Sequence, residues 1–324
     1  MILAGIDIGT NSLRLLVAEV GPDSFQEIVA DRRTTRLGRG LDSTGMISPE
    51  SAERSWNALV DFAEAIRRHN AHAFAAIGTS ALRNASNSRE FIRIAKIKTN
   101  IDIQVISGVD EARLALLGVS LELTRSGSLT NEALKRAVVL DIGGGSTEVI
   151  KTSPGEDPVI TSLPLGAVYL ADRFIKHDPP TTAEIVQLRK TVSDTLDAHA
   201  RTIRPYPGSI VVGTAGTINT LASIDRGLLP GDLGRQPRAL LTRESIDNIV
   251  ERLGSLTLEA RRGIRGLEHG REDIILPGAI VIQELLQRLE SPSMLVSHGG
   301  IKEGILLDLY DKTAKHEALL KARS

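Results

Sequence analysis

The chain has 324 residues, no cysteine, 24% charged residues and a formal net charge of −1. This length is enough for two ordinary domains, and an apolar share of 41% can fill their cores. The absence of cysteine excludes a disulfide scaffold, a thiolate metal site and a cysteine nucleophile. The balanced charge argues against nucleic acid as a partner, because proteins that bind it usually carry a basic excess.

No stretch approaches the roughly 18 consecutive apolar residues that a membrane span needs. The segment from Met1 to Ser12 lacks a basic start, and Asp7 interrupts its apolar run, so it is not typical of a signal peptide. We therefore expect a cytoplasmic protein with no membrane partner. Aromatic residues make up only 3% of the chain, whereas there are 29 glycines. The cores must then consist of Ile, Leu, Val and Ala.

Strands and helices are predicted to follow one another through the first half of the chain. Apolar runs bounded by turn residues predict strands at 2–8, 13–20, 24–36, 74–78 and 101–106. Ser48 and Pro49 suit the cap and the first position of a helix. Apolar residues then recur at helical spacing, and two further helices are expected at 88–99 and 109–123.

The second half of the chain continues in the same way. Strands are predicted at 137–142, 148–151, 209–212 and 294–297. Helices are predicted at 182–203, around 246–253, at 273–289 and from 301 to about 315. Strands mixed with long helices indicate an α/β protein.

One pattern occurs twice along the chain. Asp7-Ile8-Gly9-Thr10 and Asp141-Ile142-Gly143-Gly144 each end an apolar strand, and each leads through small hydroxyl residues into another strand. An internal repeat of this kind predicts two similar domains.

Four turns rich in glycine and hydroxyl residues follow predicted strands, at 9–12, 143–147, 213–217 and 297–300. Glycine lets the backbone approach a ligand closely, and successive N–H groups can form an anion-binding concavity. A single turn of this kind is more often an ordinary connection, but four at strand ends indicate a phosphate site. Asp7 and Asp141 precede two of them. Such a carboxylate can hold Mg²⁺ or cap its own turn, and its repetition favours the metal.

These segments carry a resemblance to a known family. Residues 7–12 and 141–148 resemble the two phosphate motifs of the actin, hexokinase and sugar-kinase superfamily. The segments 78–83, 106–113, 213–217 and 299–304 narrow the resemblance to the short form of the exopolyphosphatase/guanosine-pentaphosphate phosphohydrolase (Ppx/GppA) family.

The resemblance implies an α/β fold of two ribonuclease-H-like domains, the actin-like ATPase fold, around a central cleft. We place the domains at 1–125 and 126–300, and we expect the last helix, within 301–324, to join the first domain.

The resemblance also implies the roles of individual residues. Glu111 matches the general base that activates water; judged by itself, it would be taken for a surface glutamate paired with a neighbour such as Arg113. The implied cofactor is Mg²⁺, with Asp7, Asp141 and Glu148 as its ligands. The substrate phosphates are expected to contact Thr10, Asn11, Ser12, Arg14, Arg83, Gly143, Gly144, Gly145, Ser146 and Thr147.

The function implied is Mg²⁺-dependent hydrolysis of the terminal phosphoanhydride bond of inorganic polyphosphate, releasing orthophosphate. The nearest alternative is removal of the 5′-terminal phosphate of guanosine pentaphosphate, but few aromatic residues are available to stack on guanine. More distant alternatives are an ATP-dependent small-molecule kinase of the superfamily and a non-catalytic sensor, and the segment around Glu111 favours water as the acceptor.

Three further points stay open at this stage. A basic cluster of Arg32, Arg33, Arg36 and Arg39 either steers a polyanion or forms a solvated strand face. The family analogy allows a homodimer. The C-terminal extension of longer family members does not follow the last predicted helix, which predicts a preference for short polyphosphate chains.

Overall fold

The computed structural model describes residues 1–229, 232 and 239–321. The chain divides into two compact units: unit 1 consists of Met1–Gly118 and Gly300–Ser324, and unit 2 of Val119–Gly299. The passage from unit 1 to unit 2 lies inside helix α5 (Gly108–Arg125), slightly before the boundary near residue 125 expected from the sequence.

Unit 1 is built on a five-stranded sheet in the order β3-β2-β1-β4-β5. The strands β1 (Ile2–Ile8), β2 (Ser12–Val20) and β3 (Phe25–Thr34) form an antiparallel meander. The strands β4 (Ala73–Gly78) and β5 (Ile103–Val105) continue the sheet in parallel with β1. The helices of this unit are α1 (Leu41–Thr44), α2 (Pro49–Arg68), α3 (Ser80–Asn84), α4 (Ser88–Thr99), the start of α5, and α14 (Ile301–Lys321).

Unit 2 is built on a six-stranded sheet in the order β10-β11-β9-β6-β7-β8. Its strands are β6 (Ala137–Ile142), β7 (Thr147–Lys151), β8 (Val159–Leu163), β9 (Ile210–Thr214), β10 (Leu240–Thr242) and β11 (Ser293–Val296). Its further helices are α6 (Asn131–Leu134), α7 (Ala167–Phe174), α8 (Thr182–Ala198), α9 (Ala200–Ile203), α10 (Ala215–Arg226), α11 (Arg243–Ser255), α12 (Leu258–Arg262) and α13 (Ile275–Arg288).

The two sheets share one plan. In each, three antiparallel strands are followed by two parallel ones: β8-β7-β6-β9-β11 in unit 2 corresponds to β3-β2-β1-β4-β5 in unit 1, and β10 is added at one edge. The repeated Asp-Ile-Gly segment lies at the same place in both, between the first two strands of each unit. This duplication is what the internal repeat of the sequence predicted.

Both cores are largely aliphatic. In unit 1 one sheet face packs against α2 and α4 through residues such as Leu15, Leu59 and Phe62, and the other packs against α14 through Leu3 and Leu306. The core of unit 2 surrounds α13, most of whose residues are buried. No helix in the described ranges is long and apolar enough to cross a membrane.

Several short elements differ from the sequence prediction. The strand predicted at 24–36 ends at Thr34, just before Arg36, whose φ of 53° cannot continue a strand. The helix predicted at 182–203 is divided at His199 into α8 and α9. The strand β8 and the helix α7 were not predicted at all. Short elements depend on their packing rather than on intrinsic propensity, so a local pattern carries little information about them.

Candidate phosphate-binding and catalytic site

The first glycine turn joins β1 to β2. The N–H of Gly9 donates to the carbonyl of Ser12 at 3.1 Å and closes the turn. The carbonyl oxygens of Thr10 and Asn11 accept hydrogen bonds from N–H groups of the loop at 36–38, each at 2.9 Å. The N–H groups of Thr10 and Asn11 donate to no group in the described part of the chain. The carbonyls of residues 10–12 are therefore satisfied, while the N–H groups of Thr10 and Asn11 are available to an anion.

The second glycine turn, between β6 and β7, is built in the same way. Gly143 N–H donates to the carbonyl of Ser146 at 3.0 Å, and the carbonyls of Gly143 and Gly144 accept hydrogen bonds of 2.8–3.1 Å from the first residues of α7. The N–H groups of Gly144, Gly145 and Ser146 donate to no group among the described residues. The start of α7 thus fixes the carbonyl side of the turn and leaves these three amides for a ligand.

The hydroxyl groups of the two turns differ in their surroundings. Ser12 Oγ lies 3.4 Å from both Asn11 Nδ2 and Arg32 Nε, so these three side chains form a polar group beside the first turn. Thr147 is fully buried, and its hydroxyl donates to the carbonyl of Leu165 at 2.7 Å. The Thr147 hydroxyl therefore holds β7 to the segment before α7 instead of facing a ligand.

Each repeated aspartate faces a charged residue across its hairpin. Asp7 lies opposite Arg14 in the register of β1 and β2, and Asp141 lies opposite Glu148 in that of β6 and β7. Arg14 Nη1 donates to Asp7 Oδ2 at 3.3 Å, whereas the second pair consists of two carboxylates that are 4% and 1% exposed. Facing buried carboxylates need positive charge to remain ionised together.

The charge around Asp7 comes from both ends of the chain. Burial raises the pKa of Asp7, and the nearby carboxylate of Glu303 adds to this, while Arg14 and Lys302 act in the opposite direction. Asp7 Oδ1 is buried and has no hydrogen-bond partner within the described ranges. An oxygen of this kind is suited to a cation or a bound water.

Lys302 and Glu303 are functional candidates that the sequence analysis did not assign. They lie in the first turn of α14, where they form an ion pair with each other, and Glu303 Oε2 accepts a hydrogen bond from Gly300 N–H at 2.9 Å. The segment 299–304 contributed to the family resemblance, but nothing in its local pattern showed that it lies close to Asp7.

The predicted base, Glu111, lies in the first turn of α5 and is 6% exposed. Its Oε2 accepts a hydrogen bond of 2.6 Å from Nη1 of Arg83, which extends from α3. The adjacent acid, Asp110, is exposed and accepts a hydrogen bond of 2.6 Å from the Ser107 hydroxyl. Of these two neighbouring carboxylates, only Glu111 is buried beside a predicted phosphate ligand.

Two members of the basic cluster, Arg32 and Arg33, lie on β3, where the alternation of the strand separates them. Arg32 extends to Ser12 of the first turn, whereas Arg33 pairs with Asp31 at 2.9 Å and with Asp61 at 3.6 Å. Arg36 contributes its backbone N–H to the first turn. Arg32 thus lies at the first turn and Arg33 on the solvated face, and the steering of a polyanion by this cluster stays a prediction.

Comparison with known proteins identifies the family. The sequence profile of the Ppx/GppA phosphatase family matches residues 16–313. The chain belongs to this family. Exopolyphosphatase 2 of Mycobacterium tuberculosis is 32% identical over 322 residues, which cover 95% of this chain and 98% of that protein.

Solved structures of Ppx/GppA proteins share the fold. The crystal structure of the Aquifex aeolicus family member is 28% identical, with a TM-score of 0.78 over 97% of this chain and 98% of that one. An exopolyphosphatase from Cytophaga hutchinsonii is also 28% identical, with a TM-score of 0.85 over 96% and 98% of the two chains. The predicted family, the α/β fold of two actin-like domains and the class of phosphoanhydride hydrolases are thereby confirmed.

Proposed function

We propose that this chain is an exopolyphosphatase, which cleaves the terminal phosphoanhydride bond of inorganic polyphosphate and releases orthophosphate. The observation that carries the proposal is the pair of glycine turns, in which most carbonyls accept hydrogen bonds while the amides at Thr10, Asn11, Gly144, Gly145 and Ser146 stay available. Each turn by itself suits a phosphate group. The relatives named exopolyphosphatase support the same substrate.

In unit 1, Glu111 is the proposed general base, and Arg83, Arg14 and the first turn are the proposed phosphate ligands. Arg14 donates a hydrogen bond from Nη1 to Asp7. Its Nε and Nη2 make no hydrogen bond to the described residues. The guanidinium group can thus contact phosphate while it stays fixed to the sheet. Glu111 would orient the attacking water and take its proton as the bond to the leaving chain breaks.

In unit 2, Asp141 and Glu148 are the proposed ligands of Mg²⁺. They fit this ion because they are two buried carboxylates in facing register, with Ser162 Oγ holding Glu148 Oε1 at 2.8 Å. Mg²⁺ is commonly held by one or two carboxylates together with substrate phosphates. The described residues contain no group of three or more acidic, cysteine or histidine side chains placed to hold a metal, so substrate phosphates would supply further ligands. When bound, the ion supplies charge neutralisation at the phosphate oxygens.

Asp7 is the third proposed ligand and the weaker candidate. Its Oδ1 is buried without a hydrogen-bond partner among the described residues, which suits a ligand, but its Oδ2 is already paired with Arg14. We propose that Asp7 Oδ1 contacts an ordered water or a cation bound within unit 1. A cytoplasmic location and a homodimer remain predictions.

The test is an assay of orthophosphate release from polyphosphate, guanosine pentaphosphate and ATP, with Mg²⁺ and after chelation. Polyphosphate is expected to be the best substrate, and chelation is expected to abolish its turnover. Replacing the base by Glu111→Gln should lower kcat on the order of a hundredfold or more. Glu27→Gln, an exposed position on β3, is the matched control and should have native activity.

Three results would contradict the proposal. Faster turnover of guanosine pentaphosphate than of polyphosphate would assign the alternative substrate of the family. Native kcat in Glu111→Gln would show that Glu111 is not the general base. Full activity after chelation would show that the reaction does not require a metal.

A further inference from the structure

Arg83 and Glu111 were assigned separate tasks, yet they are in direct contact. Arg83 Nη1 donates to Glu111 Oε2 at 2.6 Å and to the carbonyl of Ile106 at 3.0 Å. Ile106 itself is anchored, because its N–H donates to the carbonyl of Gly78 at 3.1 Å, at the end of β4. One guanidinium nitrogen thus ties the base to the sheet.

The other nitrogens of Arg83 remain available. Nε and Nη2 donate to no group in the described part of the chain, and the side chain is 21% exposed, whereas that of Glu111 is 8% exposed. Nε and Nη2 form one planar edge of the guanidinium group, which matches two oxygens of a phosphate. The same side chain can therefore hold Glu111 by one corner and a phosphate group by another edge.

We infer that Arg83 is the positioning residue of the general base as well as a phosphate ligand. One rigid guanidinium group then fixes the position of the base relative to the phosphate. This inference rests on the proposed function. The 2.6 Å contact restricts the rotation of the Glu111 carboxylate, and its loss would weaken the alignment of the water that Glu111 orients with the phosphorus. Precise alignment of this kind contributes strongly to catalysis.

Lysine cannot reproduce this arrangement. Its ammonium group is a single point charge without the planar edge of arginine. An ammonium group that contacts the phosphate would no longer contact Glu111. One that contacts Glu111 would no longer contact the phosphate. Arg83→Lys therefore retains the charge of the site while separating the two tasks.

The first measurement compares kcat and KM of Arg83→Lys for polyphosphate with those of the native enzyme. If Arg83 positions the base, kcat falls on the order of tenfold to a hundredfold, while KM rises by no more than about threefold because the positive charge is kept. Arg89→Lys, an exposed arginine on α4, is the matched control and should leave both constants unchanged. A rise in KM with native kcat would make Arg83 a phosphate ligand alone and overturn the inference.

The second measurement is a double-mutant cycle with Glu111→Gln. A residue that acts through Glu111 has little further effect once the base is gone, so adding Arg83→Lys to Glu111→Gln should change kcat by less than about twofold. If the kcat of the double variant instead falls by the product of the two single losses, Arg83 acts independently of the base and the inference is overturned.

A third variant, Arg83→Ala, distinguishes a lost interaction from a misfolded protein, because only a folded protein can be rescued by an added ion. Added guanidinium ion at low millimolar concentration should restore part of its kcat, whereas methylammonium should not, because only the former can bridge Glu111 and a phosphate. Equal rescue by both ions would contradict the positioning role. Failure of the proposed function is distinguishable, since the native enzyme itself would then release no orthophosphate from polyphosphate.

Discussion

Two hairpins of the same design differ at the residue that faces their aspartate. Arg14 stands opposite Asp7, and Glu148 stands opposite Asp141. The first aspartate is therefore partly neutralised by its own hairpin, whereas the second faces another carboxylate. The two copies of the duplicated motif thus differ in the charge that faces their aspartate.

At the scale of single residues, Asp7→Asn is expected to raise the melting temperature at pH 7 while lowering phosphatase activity. Burial raises the pKa of Asp7 above its ordinary value of 3.8, so the folded protein holds this proton more tightly than the unfolded chain. Stability is then lost as the pH rises from 3.8 through the raised pKa, and the loss persists at pH 7. Asparagine removes the ionised form and with it this loss.

Thermal unfolding in the presence of a chelator, at pH 7 and near pH 3.5, checks this expectation. The gain in melting temperature should be larger at pH 7 than near pH 3.5, because pH 7 lies above the ordinary pKa of 3.8 and the raised pKa of folded Asp7 costs stability there. Asp23→Asn, in the exposed turn after β2, is the control and should show no gain. A loss of stability at pH 7 in Asp7→Asn would contradict the account.

At the scale of elements, each phosphate turn depends on a neighbour that holds its carbonyls. In unit 2 this neighbour is α7, which begins directly after Gly166. A Cβ atom at Gly166 would lie 2.2 Å from the carbonyl carbon of Gly145 and 2.3 Å from the carbonyl oxygen of Gly144. The close approach of two backbones therefore requires glycine at this position, and it places the start of α7 directly on the turn.

Gly166→Ala is expected to displace the second turn, because the atoms in its way belong to the backbone and cannot rotate aside. A shift on the order of 1 Å at this turn should lower kcat/KM for polyphosphate by about tenfold to a hundredfold. Gly254→Ala is the matched control, since a Cβ there would meet Ile185 at an ordinary 3.4 Å. Native kcat/KM in Gly166→Ala would show that the turn tolerates the displacement.

At the scale of the whole molecule, the chain leaves unit 1 after Gly118 and returns to it at Gly300. These two glycines lie against each other, because a Cβ at Gly118 would be 1.9 Å from the carbonyl oxygen of Gly300. A Cβ at Gly304 would likewise be 1.9 Å from the carbonyl oxygen of Leu114. Within unit 1, the helix that carries Glu111 is thus packed backbone to backbone against the start of α14.

Gly118→Ala is expected to push α5 and α14 apart and so to disturb Glu111 and Asp7 together. We expect a loss of about 1–3 kcal/mol in the free energy of unfolding, typical of an overpacked core, and a lower kcat. Denaturant unfolding and the phosphate-release assay check the two effects. Leu117→Ala, on the same helix at a side chain that is 43% exposed, should be close to native in both. Equal stability of Gly118→Ala and the native protein would contradict the packing argument.

Most of the strands that carry the site could be predicted from the sequence, because apolar runs ending in glycine turns are local signals. The same is true of the repeated Asp7 and Asp141, of the turns that follow them, and of Glu111 through the family resemblance. The start of α7 escaped prediction, since its function depends on Gly143 and Gly144, which lie more than one element away in the chain.

By itself, the sequence determined the α/β class, the duplication, the family and the chemical type of each candidate residue, because these follow from composition, spacing and motif. Only the tertiary structure decided how they are combined. It paired Arg83 with Glu111 and brought Lys302 and Glu303 near Asp7. The physical reason is that burial and contact depend on residues far apart in the chain, and these determine which charges are neutralised within the protein and which need a ligand.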